Sequence, residues 1–107
     1  MQMALRNKDQ LFAQDLEEQL VEAAHNMIPE LRQRAAETEQ LRRSADANEK
    51  AFRAAGLYKV FVPRQFGGHE IGYGTHTRIA MELARGCVSS AWAYSVTACH
   101  AWILGMF

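Results

Sequence analysis

The sequence predicts an all-α fold of about four helices joined by an extended connector and a glycine-rich loop. Apolar residues recur at steps of three and four from Leu16 to Leu41, the mark of one buried helical face. Helix start and stop signals recur down the chain, at Asp46, Gly56, Thr75 and Gly86. The β-prone run, LYKVFV at residues 57–62, is short and closed by Pro63, which favours a connector over a sheet strand.

In the first helix Leu20, Ala23, Met27, Leu31, Ala35, Thr38 and Leu41 follow Leu16 along the apolar face, and charges fill the other side. Glu30 and Arg34, and Glu39 and Arg43, have the acid-first i,i+4 order, each pair contributing about 0.2–0.5 kcal/mol. Pro29 interrupts the pattern. Its ring conflicts with the carbonyl four residues back, so a kink or two abutting helices is expected there.

The second helix is expected from Asp46, which precedes Glu49 at capping-box spacing, with Ser44 as a competing cap. It carries Ala51, Phe52 and Ala55 inward, pairs Glu49 with Arg53 outside, and stops at Gly56 in a left-handed conformation. After the connector, FGGHEIGYG at residues 66–74 reads as a folded loop needing positive φ. Thr75 or Thr77 is expected to open the third helix, which carries Ile79, Met81 and Leu83 and ends at Gly86. Ser89 or Ser90 is expected to cap the fourth, where Trp92, Val96, His100 and Leu104 follow at steps of four.

Composition narrows the function classes. The 107 residues are 49% hydrophobic, with twelve basic and twelve acidic side chains and no net charge. A nucleic-acid footprint would show a basic excess, so no nucleic-acid partner is expected. The N-terminal MQMALRNKDQ has no apolar core ahead of its charges, unlike a secretory leader. Cys87 and Cys99 have no CxxC spacing and read as reduced core thiols, giving a cytoplasmic expectation.

Charge is distributed unevenly. Residues 1–64 hold twenty of the twenty-four charged side chains, and residues 87–107 hold none. That uncharged run is long enough to span a bilayer, but Ser89, Ser90, Ser95, Thr97 and His100 interrupt it, so no membrane partner is expected. A helix apolar all round needs neighbours on every side, more than 107 residues can supply. The chain therefore reads as a fragment of a larger protein.

Few constellations suggest chemistry. The glycines of residues 66–74 lack GxGxxG spacing and a strand-to-helix setting, so a phosphate cradle is not expected. His69, Glu70, His76 and Glu82 have no metal-ligand spacing and read as surface residues, with no metal expected. Cys99 beside His100 suggests a nucleophile pair, yet helical neighbours point about 100° apart. The acidic residues of the first helix lie at solvent-facing spacing and give no paired-carboxylate site. His100 remains: the titratable side chain of the uncharged helix other than its cysteines and Tyr94, on the same flank as Trp92 and Val96. It reads either as a hydrogen-bonded core histidine or as a group that exchanges a proton beside a cavity.

Three stretches together resemble one superfamily: LRQRAAETEQLRR (31–43), FRAAGLYKVFVPRQFGG (52–68) and MELARGCVSSAWAYSVTACHAW (81–102). They look like the N-terminal helical domain of the acyl-CoA dehydrogenase fold, across about residues 16–107. The small-residue cap, Trp92, and His100 eight residues later followed by x-Trp resemble the flavin-dependent monooxygenase branch, the oxygenase components of two-component aromatic hydroxylases.

The resemblance implies an N-terminal helical domain at residues 1–107, with a middle β-domain and a C-terminal helical bundle absent from this chain, and a homotetramer when full length. It implies reduced flavin (FMN or FAD), held mainly by those other domains, a separate flavin reductase, and oxygenation of a small aromatic or heteroaromatic substrate. Trp92, Val96 and His100 would line the flavin and substrate pocket, His100 as acid/base or hydrogen-bonding group. Two alternatives stand beside this: an acyl-CoA dehydrogenase oxidising an acyl thioester with FAD, and a stand-alone helical interaction module.

Overall fold

The computed structural model describes residues 2–106, with side chains at residue 12 and at residues 14–106. It is all-α: helices α1 (Gln2–Asn26), α2 (Ile28–Gln33), α3 (Ala35–Leu41), α4 (Asp46–Ala54), α5 (Tyr73–Gly86) and α6 (Val88–Gly105), with 3-10 turns at Leu57–Lys59 and Arg64–Phe66. The apolar stripe of residues 16–41 is spread over three segments rather than one helix. Pro29 lies in the opening turn of α2, where its missing N–H costs nothing, and the chain breaks just ahead of it at Met27. Arg34, at φ −97° and ψ 7°, makes a further break between α2 and α3. Leu20, Leu31 and Thr38 of the stripe are buried, whereas Leu41 is 42% exposed past the end of the core.

Several expected local signals give way to tertiary partners. Ala45, not Ser44 or Asp46, is the N-cap of α4, and no side chain caps it. Asp46 instead takes the Arg43 guanidinium at 2.6 Å, which draws Arg43 away from the expected Glu39 pairing. Glu49 accepts the Tyr58 hydroxyl instead of reaching Arg53. The Glu30–Arg34 pair is present at 3.5 Å. Gly56 ends α4 in the left-handed region at φ 76°.

The connector is not extended. Lys59 N–H bonds Gly56 O at 3.1 Å and Val62 N–H bonds Lys59 O at 3.2 Å, coiling the run into turns. Its apolar residues explain why: Leu57, Val60 and Phe61, at helical i,i+3,i+4 spacing, are all buried. With no strand among the described residues to pair with, coiling satisfies backbone groups that extension would leave bare. The Tyr94 hydroxyl then donates to Leu57 O at 2.8 Å, pinning this turn to α6.

The glycine-rich loop folds back on the connector. His69 N–H bonds Lys59 O, Glu70 N–H bonds Val62 O, and Ile71 N–H bonds Val60 O, at 2.8–3.1 Å. Positive φ occurs at Gly67 (88°) and at Glu70 (50°), not throughout the loop. Gly68 serves close approach: a Cβ there would lie 2.0 Å from Val62 O. Helix α5 opens earlier than expected, with Gly72 as N-cap, so neither Thr75 nor Thr77 caps it. Cys87, not Ser89 or Ser90, is the N-cap of α6.

The core forms where α5 packs on α1, α2 and α6. Phe52, Leu57, Val60, Ile79, Leu83 and Tyr94 are fully buried in it. The Phe52 and Tyr94 ring centroids stand 5.6 Å apart, within the range of favourable aromatic pairs. Only one face of α6 joins this core, through Ser90, Ala91, Tyr94 and Ala98. The stripe Trp92, Val96, His100 and Leu104 faces outward.

Candidate functional site

Trp92, Val96 and His100 lie along one exposed flank of α6 because steps of four nearly complete a helical turn. Trp92 is 72% exposed and Val96 40% exposed. The His100 Nδ1 lies 2.7 Å from Val96 O. A carbonyl only accepts, so Nδ1 carries the proton, and Nε2 is the nitrogen able to accept a hydrogen bond or a proton. The flank thus offers an aromatic face, an apolar step and an oriented imidazole within three helical turns. All three side chains stand exposed on the helix.

Trp92 also lines a cleft of about 990 Å³, with Thr38, Arg42, Ser44, Cys87 and Ser89 among its other walls; Val96 and His100 lie outside it. The cleft separates α3 and its C-terminal turn from the start of α6. Separate from its lining, Arg34 Nε donates to Asn48 Oδ1 at 2.7 Å, and Asn48 Nδ2 donates to Ser90 Oγ at 3.3 Å.

His76, expected on the surface, is 2% exposed. It shares the buried face of α5 with Thr75, Ile79 and Leu83; the i,i+3,i+7 spacing of 76, 79 and 83 was the signal for it. Its Nε2 is 3.1 Å from Ser95 Oγ and 3.8 Å from Cys99 Sγ, and its ring packs 4.7 Å from Phe61. Burial pushes the imidazole below its ordinary value. Tyr73 Oη lies 3.4 Å from the same Cys99 sulfur. Cys99 therefore faces α5 while His100 turns to its own helix, and the two do not pair. This Tyr73–His76–Ser95–Cys99 cluster was not expected from the sequence, since it joins residues 19 to 26 apart.

The other candidate ligands are dispersed. The half-buried His69 sits over Gly56, where an added Cβ would lie 2.9 Å from its Nε2. Burial first, and then the Lys59 charge, hold its imidazole below the ordinary value. Glu70 Oε1 accepts Arg64 N–H at 3.3 Å. Glu82, half-buried rather than on the open surface, binds His25 at 2.9 Å and Arg85 at 3.2 Å. Among the described residues no group of three such side chains could hold a metal. Nor is any helix there long and apolar enough to cross a membrane.

A flavin ring and a flavin phosphate make different demands on these residues. The ring needs a flat apolar wall with a polar edge, and the exposed Trp92 indole and His100 imidazole on α6 are of that chemistry. The phosphate needs free N–H groups, and in the glycine-rich loop those of Gly68, His69, Glu70 and Ile71 are already bonded to the carbonyls of Pro63, Lys59, Val62 and Val60.

Comparison with known proteins matches residues 13–107 to the family described as "Acyl-CoA dehydrogenase, N-terminal domain". The chain is 32% identical, over 82% of its length, to the oxygenase component of p-hydroxyphenylacetate 3-hydroxylase from Acinetobacter baumannii, covering 21% of that protein. It is 35% identical, over 76% of its length, to a flavin-dependent monooxygenase oxygenase subunit from Rhodococcus jostii, covering 21% of it. It is 32% identical, over 71% of its length, to the oxygenase component of an FADH(2)-dependent resorcinol hydroxylase from a Rhizobium species, covering 19% of it. The chain thus spans about a fifth of the length of these relatives. No solved structure matches it.

Proposed function

We propose that this chain, which belongs to the acyl-CoA dehydrogenase N-terminal domain family, is the N-terminal helical domain of a flavin-dependent monooxygenase, the oxygenase component of a two-component aromatic hydroxylase. In this reading a middle β-domain and a C-terminal helical bundle complete the protein, which assembles as a homotetramer in the cytoplasm. The observation that carries the proposal is the outward Trp92–Val96–His100 flank of α6, in a chain whose relatives include oxygenase components acting on phenolic substrates.

When bound, the reduced flavin (FMN or FAD), delivered by a separate reductase, supplies the oxygen-activating chemistry. The chain's own residues supply position and protons. Trp92 offers its ring face to the flat flavin or aromatic substrate. Val96 keeps the next helical step dry and apolar. His100, oriented by its Nδ1 bond to Val96 O, turns Nε2 toward a phenolic hydroxyl, to accept its hydrogen bond or move its proton. The flavin phosphate is held mainly by domains outside this chain; the N–H groups of Gly68, His69, Glu70 and Ile71 are already bonded to carbonyls of residues 59–63.

The test uses the complete oxygenase with its reductase, a phenolic substrate and either flavin, reading hydroxylated product and hydrogen peroxide. General acid–base assistance typically contributes about 10²–10⁴-fold, so His100→Ala should cut hydroxylation or divert oxygen to peroxide. His100→Asn should retain more activity if a hydrogen bond suffices. Hydroxylation at the parent rate and coupling in His100→Ala removes His100 from the site, and acyl-CoA oxidation without hydroxylation overturns the oxygenase reading. The 107-residue chain alone should bind FMN and FAD weakly or not at all by fluorescence titration; stoichiometric micromolar binding would contradict the shared flavin site.

A further inference from the structure

His76 and Cys99 face each other where α5 packs on α6. The imidazole is 2% exposed. Its Nε2 lies 3.8 Å from Cys99 Sγ and 3.1 Å from Ser95 Oγ. Both neighbours carry a hydrogen they can donate, so a lone pair on Nε2 suits both. Packing fixes the ring, with Phe61 at 4.7 Å and Tyr94 at 5.7 Å between centroids. Tyr73 Oη lies 3.4 Å from the same sulfur. A nucleophile within reach of an oriented base is the arrangement that activates thiols.

A separate observation sets His76 apart from a histidine that only fills the core. Its Nδ1 is buried without a hydrogen-bond partner among the described residues. Buried polar groups are normally paired, and an apolar ring of similar size would occupy the space without that cost. Only the Nε2 edge gives the imidazole an interaction that an apolar ring lacks. Cys99 is half-buried, and aromatic rings stand around it. Tyr73 is 50% and Trp102 43% exposed. Their rings meet edge to face at 5.5 Å, and Phe61 stacks on Tyr73 at 5.4 Å. Such walls suit a flat, conjugated molecule.

We propose that Cys99 is a nucleophile, with His76 as its base, at which the chain adds covalently to a flat conjugated electrophile of the quinone class. Nε2 takes the thiol proton while the Tyr73 hydroxyl donates to the sulfur as its charge develops. Sulfur supplies the electron pair of the new S–C bond. The ring C=C pair moves onto the conjugated carbonyl oxygen, which takes the proton back from His76. The ring C–H proton at the new bond then shifts to the second oxygen, leaving a thioether-substituted hydroquinone, with no outside oxidant consumed. None of these residues belongs to the Trp92–Val96–His100 flank.

The test treats the chain with limiting 1,4-benzoquinone near neutral pH and quantifies the Cys99 adduct by peptide mapping, folded and in urea. N-acetylcysteine in the same solutions is the reference thiol. General acid–base assistance typically contributes about 10²–10⁴-fold, so Cys99, relative to the reference, should react at least about tenfold faster in the folded chain than in urea. Shielding alone would make the folded thiol slower. Tyr73→Phe removes only the hydroxyl of an exposed ring and should slow the folded reaction several-fold while the helical circular dichroism is retained. His76→Phe keeps a ring in place and should abolish the acceleration. Should His76→Phe not fold, the parent comparison and Tyr73→Phe decide. A folded Cys99 that reacts no faster than the unfolded one, or an undiminished rate in folded His76→Phe, overturns the proposal.

Discussion

His100 donates its Nδ1 proton to the carbonyl of Val96, one turn back on α6, at 2.7 Å. The bond fixes the imidazole's rotation and decides which nitrogen can meet another molecule. It also uses a carbonyl already engaged in the helix, whose second lone pair remains available.

Neutral His100 is therefore expected as the Nδ1–H tautomer, the minor form of a free imidazole in water. Nitrogen-15 correlation spectra of the chain above pH 8 should show Nε2 as the unprotonated nitrogen. A predominant Nε2–H signal would mean that the bond to Val96 is absent in solution.

Burial of His76 sets a pH dependence of stability. Its folded-state value is lowered from 6.5, so at mildly acid pH the unfolded chain binds the proton more readily than the folded one. By linkage, stability rises with pH in that window: the contribution is intact above 6.5 and is lost as pH falls below it. The half-buried His69 is shifted the same way. Thermal melts should give a lower midpoint at pH 5 than at pH 7, and His76→Gln should reduce the difference. An identical slope in the variant would assign the effect to other groups.

Two glycines should respond oppositely to alanine. At Gly68 the added methyl would lie 2.0 Å from Val62 O and 2.3 Å from Val62 Cβ, so Gly68→Ala should lower the melting temperature by several degrees or more. At Gly74, inside α5, nothing lies within 4 Å, and Ala is the better helix former by about 0.5–1 kcal/mol. Gly74→Ala should therefore stabilise the chain in urea titration. The reverse ordering would contradict the loop geometry.

The outer face of α6 should be adhesive in the isolated chain. Trp92 is 72%, Leu104 73% and Met106 68% exposed, with Trp102 and Ile103 beside them at 43% and 48%. Apolar patches beyond a few hundred Å² favour association. The chain should self-associate or bind a hydrophobic dye, and Trp92→Ser with Leu104→Ser should weaken both. A monodisperse monomer without dye binding at high concentration would count against this. Phe107, the last apolar residue of the sequence, lies outside the described residues.

What the sequence determined by itself is what depends on near neighbours in the chain. The 3.6-residue period placed a helix at each of the four expected positions, because alternating burial along one face needs no knowledge of the partner. Pro29 and Gly56 marked their breaks, because ring geometry and a missing Cβ act locally. The flank shared by Trp92, Val96 and His100 was legible for the same reason. Tertiary structure decided whatever needed a partner distant in sequence. The run at residues 57–62 looked like an extended connector, yet it coils because Leu57, Val60 and Phe61 reach the core together only in a turn. Ser44 and Asp46 were plausible caps, but Ser44 turned to Ser90 at 3.5 Å and Asp46 to Arg43. His76 lies inside with its Nε2 3.1 Å from Ser95 Oγ of another helix, while its Nδ1 has no partner among the described residues. Burying a polar group costs less where a hydrogen-bond partner is delivered, and that delivery depends on how α5 meets α6.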